Sequence, residues 1–506
     1  MEIDLAQLDS SATGSDLLRA PICIVGGGIA GLTLAHKLVT LGHEVVLLEA
    51  GGHAAEAFDQ IEQSGHPHPG TSEPRSRALG GTSLTWGGQL LPFPDCKSSW
   101  PISASDLAPF TTEAEQLLAA DSLPYDAPAF FTRLEQRSPA LLNQLPQLDA
   151  SLSKFAPFSH RNLAQTIGQK LRTHSRARII VHAQVIELVV APTSDSIEAV
   201  VVRTPSGQTY RVEANHIVLA AGTIETVRLL LASRIANQHD RVGRNFHDHL
   251  TVTAATLREP ARALFLSALR PWIYRGTLHS LKLCASPQLQ RELNLTPILA
   301  HLTIDEPETS GIGALRNLLR ARQQNELAST LSETLPQLPR AIADATRLTL
   351  SARMQRRRYV SPSATVQLRL NAAQQTPSAS RITLSSDLQP ILDWRIDPVE
   401  LATLRAFAHY LRTHISLDGL DWNPALFTPD PTAPIPGLDD ARHAMGGASM
   451  GTDPRSSVVD PDLRVHGLRN LFIASAAVFP DGSPQLPTLP LMALTLRLAQ
   501  HLHRQT

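Results

Sequence analysis

Cysteine is scarce in this 506-residue chain. Cys23, Cys96 and Cys284 lie far apart and form no CxxC pair, which excludes a disulfide framework and supplies no thiolate set for zinc or an iron–sulfur cluster. An excess of one charge is also missing. With 45 Lys+Arg against 46 Asp+Glu, the formal net charge is -1, so no basic field exists to hold nucleic acid or an acidic membrane surface. No run of about twenty apolar residues offers a membrane span. The stretch MEIDLAQLDSSATGSDLLRA carries acids where a secretory leader needs bases, and it has neither an uninterrupted apolar core nor a twin arginine. The expected compartment is a reducing cytoplasm, and the expected partners are small molecules. No internal repeat is visible, and the length calls for two intertwined domains.

What the chain does have is concentrated between Pro21 and Gly52. Ile22-Cys23-Ile24-Val25 reads as a buried strand, Gly26-x-Gly28-x-x-Gly31 as a tight turn, Ile29 to Leu41 as a helix and Val45 to Leu48 as a second strand. This is the βαβ unit of a dinucleotide site. Gly26 permits the sharp exit from the strand, Gly28 admits a pyrophosphate to the backbone, and Gly31 lets helix and strand pack closely. The start of the helix aims N–H groups at the phosphates. Glu49 suits the ribose hydroxyls of an adenosine and repels a 2′-phosphate, which disfavours NADP.

Downstream, His66-Pro67-His68-Pro69-Gly70 reads as a solvated loop, since nothing nearby supplies a third metal ligand. Gly80-Gly81-Thr82-Ser83 and Trp86-Gly87-Gly88 bracket a backbone able to lie flat against a planar ligand. From Trp100 to about Leu152 the pattern suggests short helices in a cap or lid, and Ile179 to Val202 suggests strands. His216 to Thr226 gives another strand, small-residue turn and helix start around Ala221-Gly222. The region Ile312 to about Arg358 is mostly helical and reads as an amphipathic surface helix. Val366 to Leu370, Ser380 to Leu384 and Ile391 to Trp394 are expected to form one antiparallel sheet walling a substrate pocket, followed by a helix from Pro398.

Taken together, these segments resemble the glucose-methanol-choline oxidoreductases, a family of FAD enzymes. Three further stretches extend the resemblance: Val242 to His249, Arg442-His443-Ala444-Met445-Gly446-Gly447, and Val458 through Ala474. The last family segment matches Pro487-Thr488-Leu489. The resemblance implies an α/β fold, with a Rossmann-like FAD-binding domain of parallel sheet and helices assembled from residues 15–100, 160–250 and 436–506. A cap then spans 101–159, and an α+β substrate domain with an antiparallel sheet spans 251–435. It also implies that Gly80, Gly81, Thr82, Ser83, Trp86, Gly87, Ala221, Gly222, Ala474, Ser475, Pro487 and Thr488 join Gly26, Gly28, Gly31 and Glu49 in holding FAD. Some sugar-oxidising relatives bind flavin covalently through a histidine just before the tryptophan. Thr85 stands there, so a noncovalent FAD is expected.

The family places a general base where this chain has His443, beside glycines expected to leave room for a substrate. An imidazole near pKa 6.5 can take a hydroxyl proton at neutral pH while hydride leaves the carbinol carbon. The residues of Asn245 to His249 suit a supporting role. One departure stands out: the family carries asparagine or histidine just before Pro-Thr-Leu, and this chain has Leu486, which makes no hydrogen bond. Gln485, Ser475, His247 and His249 are the candidate replacements. Two functions therefore remain open, oxidation of a CH–OH group of a sugar, glycoside or other polyol, or altered chemistry such as desaturation, isomerisation or decarboxylation on a more apolar substrate. The electron acceptor, whether oxygen, a quinone or a carrier protein, is not written in the sequence.

Overall fold

The computed structural model describes every residue except 8–18, 59, 74, 94–98, 193–194, 325, 328–329, 331–333 and 506. Cys96 lies outside the described residues; Cys23 and Cys284 are free thiols. The glycine-rich start folds as its pattern dictates. Strand Arg19–Val25, helix Ile29–Thr40 and strand Val45–Leu48 form the expected βαβ unit. Ile22–Val25 and Val45–Leu48, which pair with each other, are apolar throughout because both faces of the sheet are covered.

Arg19–Val25 and Val45–Leu48 lie at the centre of an eight-stranded sheet. Ala177–Val181 and Glu2–Asp4 continue it beyond Val45–Leu48, all parallel. On the other side Arg19–Val25 pairs with the eleven-residue strand Thr209–Leu219. The far edge of that strand is shared between two partners. Its first half takes antiparallel Ile197–Arg203, which leads on to Gln184–Val190, and its last three residues take parallel Leu471–Ile473. Val25, Leu48, Leu219 and Ile473 therefore leave the sheet at one edge, the carboxyl edge where open α/β sheets bind ligands.

A nine-stranded antiparallel sheet forms the second layer. Its apolar face, which includes Leu368, Leu370, Ala300 and Leu283, is buried, and helix Pro398–His414 packs against its strands Thr365–Ala373 and Ile298–Asp305. That helix starts with a reciprocal cap between Asp397 and Glu400.

Three sequence expectations change here. Leu148–Phe155 is a strand of this sheet, paired with Thr277–Ala285, although the segment to Leu152 reads as helical; the Ser/Leu alternation in LDASLSKF is a strand period. Within the same segment, helix Ala104–Leu117 packs on the C-terminal helix Thr488–Gln505, and Lys37 pairs with Glu113 at 2.7 Å. The three strands expected to share one sheet are split. Thr365–Ala373 belongs to the large sheet, while Arg381–Leu384 and Pro390–Trp394 form a hairpin joined by Glu62–Gly65. The helical region 312–358 is interrupted: among the described residues it contains helices Gly311–Gln324 and Leu338–Gln355, with a 3-10 turn Leu335–Gln337 between them. Among the described residues, no helix is long and apolar enough to cross a membrane.

Candidate active site

At the carboxyl edge of the parallel sheet, the four strand ends open into a cavity of about 520 Å³. Gly26 turns there with φ +107°, and a Cβ on it would stand 2.5 Å from the Ala220 carbonyl oxygen. Gly28 differs, since a Cβ built on it meets nothing within 4 Å and enters the cavity. The helix that follows has no side-chain cap and no acid in its first turn, leaving its N-terminus to an anion. Such an edge fits the pyrophosphate of a flavin dinucleotide.

Of the residues expected to hold the cofactor, Gly26, Gly28, Glu49, Gly81, Thr82, Trp86, Gly87, Ala221, Gly222, Ala474, Ser475, Pro487 and Thr488 line this cavity, as do His443 and Leu486. Gly31, Gly80 and Ser83 do not. A Cβ on Gly31 would sit 1.9 Å from the Gly26 carbonyl oxygen, so its work is packing. Ser83 donates to the Gly80 carbonyl at 2.6 Å and accepts the Leu163 N–H at 3.1 Å, bracing the second glycine segment from behind.

Glu49 receives the N–H of Gly27 at 2.8 Å on one carboxylate oxygen and that of Gly51 at 2.9 Å on the other. It thus ties the two glycine turns together while facing the cavity. Burial pushes its carboxyl up to about 7, against the backbone N–H groups of Gly51, Gly27 and Ala50 and the charge of Arg77. Beside it lies a group the sequence reading did not single out as a site. Glu225 is gripped by Arg75 at 3.0 Å and Arg228 at 2.6 Å, and Arg75 stacks on Phe58. All four line the cavity. The available signal was one acid in the first turn of helix Gly222–Ala232, with its basic partners Arg75 and Arg228 on a remote loop and one turn further along the helix.

His443 reaches the cavity from a segment held against Asn245–His247 by paired backbone hydrogen bonds between His247 and Met445. The glycines after it serve this contact rather than substrate room. A Cβ on Gly446 would stand 2.0 Å from the Asn245 carbonyl oxygen, and neither Gly446 nor Gly447 lines the cavity. The His443 backbone N–H donates to Asp248 at 2.8 Å, and its Nδ1 lies 3.3 Å from Nδ1 of His249. Burial lowers the His443 pKa, opposed by the Asp248 carboxylate and reinforced by Arg442.

Behind this pair the solvated-loop reading of His68 is overturned. His68 is fully buried, with Nε2 3.1 Å from Asp248 and Nδ1 3.3 Å from Asp440. Strand Glu62–Gly65 draws the loop inward by pairing with Pro390–Trp394, and Asp440 accepts the Gly70 N–H at 2.8 Å. Burial works against the charged form of His68, but its hydrogen bond to Asp248 and the two carboxylate charges outweigh it and raise the pKa. Burial likewise raises Asp248, yet His68, with His443 and His249, holds it below the usual carboxylate range. Asp440 is raised, by burial first and then by Asp248, with His68 opposing.

Leu486 is half-buried in the cavity wall, so the departure from the family pattern lies within the site. Among the candidate replacements only Ser475 lines the cavity, and its hydroxyl accepts the Ala477 N–H at 3.1 Å. Gln485 turns away towards Cys284, and His249 stands behind His443.

Comparison with known proteins agrees with this layout. Residues 163–251 and 376–495 match the two models described as GMC oxidoreductase, and residues 24–71 match an NAD(P)-binding Rossmann-like domain. The chain is 23% identical to the fructose dehydrogenase large subunit of Gluconobacter japonicus, over 96% of this chain and 98% of that one. Its fold is similar to pyridoxine 4-oxidase from Mesorbium loti (TM-score 0.62, 16% identity, 96% and 99% of the two chains). It is also similar to a formate oxidase from Aspergillus oryzae (TM-score 0.61, 16% identity, 96% and 98%). Two models of one family, matched in chain order after a Rossmann-like segment whose glycine turn the structure leaves open to a cofactor, lead to one conclusion: the chain belongs to the GMC oxidoreductases, FAD enzymes built on a Rossmann-like domain.

Proposed function

We propose that the protein oxidises a CH–OH group of a sugar, glycoside or other polyol, with His443 as general base. The observation that carries this reading is the lone ring nitrogen left to His443. Its Nδ1 faces His249, so Nε2 is the atom available to a hydroxyl in the cavity. Burial favours the neutral ring, which is the form a base requires. His443 accepts at Nε2 only as the Nδ1–H tautomer, so His249 accepts at Nδ1 and carries its own proton on Nε2. Once His443 has taken the hydroxyl proton, the nearby Asp248 carboxylate stabilises the imidazolium. Gly28, the uncapped helix start and Glu49 would hold the dinucleotide, and the bound flavin supplies the hydride acceptor. Thr85 offers a hydroxyl rather than an imidazole, which supports a noncovalent FAD. The fructose dehydrogenase relative is named for a sugar, in keeping with a polyol substrate, and the two unpaired cysteines suit a cytoplasmic setting.

The deciding experiment is anaerobic mixing of holoenzyme with a panel of sugars, glycosides and polyols, followed by flavin absorbance. Bleaching with formation of the carbonyl product is expected. If no alcohol reduces the flavin, the reading fails.

Leu486 supports a second reading, altered chemistry on a more apolar substrate. Leu486→Asn separates the two. A hydrogen bond to a charged substrate oxygen contributes roughly 1.5 to 3 kcal/mol, so alcohol oxidation should accelerate about ten- to a hundredfold. Loss of native turnover without gain on any alcohol favours the second reading.

A further inference from the structure

The antiparallel sheet has two unlike faces. One is the apolar face under helix Pro398–His414. The other carries Lys282, His301 and Arg369 directly opposite one another on three adjacent strands. Facing residues in such a sheet stand roughly 5 Å apart, and like charges placed so are destabilising. Among the described residues no acid forms an ion pair with them, and Asp149, an acid that register places on this face, stands opposite Cys284 rather than in the row. Among the described residues, no side chain of the three has a hydrogen-bond or ion-pair partner, and His301 Nδ1 and Arg369 Nε are buried without one. Lys282 is 5% exposed. Its burial pulls the ammonium down to about 7, and His301 is lowered well below its usual value by burial, then by Lys282 and Arg369.

Two links tie this row to the cavity. Side chains alternate between faces along a strand, so Ser151, which pairs with Lys282, shares a face with Ser153. Ser153 accepts the amide of Gln89 at 2.6 Å, and Gln89 lines the cavity. On the same face as Lys282, Cys284 lies near Gln485, the neighbour of cavity-lining Leu486. His301 and Arg369 keep partial exposure, and the row stands outside the cavity lining, behind Gln89 and Leu486 by these links.

We propose that Lys282, His301 and Arg369 bind an anionic oxyacid group, carboxylate or phosphate, carried by the alcohol on which His443 acts. Lys282 and Arg369 supply the charge-assisted hydrogen bonds such a group requires, and His301 between them adds a ring N–H, all on rigid strands. The bound anion in turn supplies the counter-charge that the row lacks. This inference deepens the proposed oxidation and rests on it for the reacting group.

The test titrates holoenzyme with glycerate, glycerol phosphate and glycerol, reading the shift in flavin absorbance before any turnover. One or both acids should bind more tightly than glycerol, and the tighter of the two identifies the oxyacid. Lys282→Met and Arg369→Met should each weaken that acid about ten- to a hundredfold, the effect of one charge-assisted hydrogen bond, and leave glycerol unchanged. FAD content and melting temperature establish that the variants fold; if Lys282→Met does not, Lys282→Gln is judged by the same measure. Acids that bind no better than glycerol, or variants that bind them as the parent does, overturn the anion site. Because binding is read without turnover, a failure of all alcohols to reduce the flavin removes the proposed oxidation and leaves this result standing.

Discussion

Two clusters of ionisable side chains, one fully buried and one partly exposed, lie behind residues of the cavity wall, and they are electrically opposite. Around His68, a raised base lies between Asp248 and Asp440, and backbone N–H groups take up the remaining carboxylate oxygens. Around His301, three bases stand in register with no acid among them. Burying a charge is costly unless it is paired. The first cluster meets that cost internally, so its work is done within the fold: it fixes His443 through the Asp248 contact. The second leaves the cost outstanding, which is the signature of a group arranged for something that arrives.

The contrast is sharpest at His443, where the closed cluster reaches the cavity. His443→Ala should keep FAD and fold yet slow flavin reduction by about two to four orders of magnitude, the contribution of a positioned base. Anaerobic stopped-flow checks it, and an unchanged rate would remove the base from the mechanism.

Next in size is Asp248→Asn, which removes the carboxylate that contributes most to raising His68 and leaves only Asp440 facing it. Removing one partner of a buried pair costs about 3–5 kcal/mol, so the denaturation midpoint should fall at neutral pH. Lys282→Met removes an unpaired charge and should leave stability in the absence of anion equal or higher. If both variants lose stability alike, the distinction between the clusters is false.

The smallest effect is in pH dependence, and the two clusters carry opposite signs. The pKa of His68 is raised in the folded state, so its stabilisation is complete below the unfolded value of 6.5 and is lost as pH rises through the folded value. That of Lys282 falls from 10.5 to about 7, so its penalty is absent above 10.5 and complete below about 7. The stability gained in Lys282→Met should therefore vanish on going from pH 7 to 10.5. The advantage of parent over His68→Gln should shrink as pH rises above 6.5. Denaturant melts across this range measure both slopes.

The same contrast explains what was legible in the sequence. The carboxyl edge of the parallel sheet is local chemistry: Gly26, Gly28 and Glu49 fall within one βαβ unit, and spacing alone gives their places. His443 is recognisable because its motif is contiguous. His68 was not, because turn residues describe the loop and say nothing of the Asp248 and Asp440 that fold over it from remote segments. Nor was the basic row, because Lys282, His301 and Arg369 become neighbours only through the register of three strands. Polar residues at alternate positions of those strands read simply as an exposed face. The one visible hint was a lysine and a histidine each set among apolar residues that make a strand too hydrophobic to lie on a surface.

The divided edge of strand Thr209–Leu219 also sets an order of events during synthesis. Its first half is paired as soon as Ile197–Arg203 and Thr209–Glu213 have left the ribosome. Its last three residues wait for Leu471–Ile473, made only after the entire antiparallel sheet. In the interval Ile217, Val218 and Leu219 present an apolar, unpaired strand edge, the kind that recruits other chains. The cavity wall is not complete until Ala474 and Ser475, which line it, arrive beside that edge. A chain interrupted before Leu471 is thus left with an aggregation-prone seam beneath the cavity at the carboxyl edge.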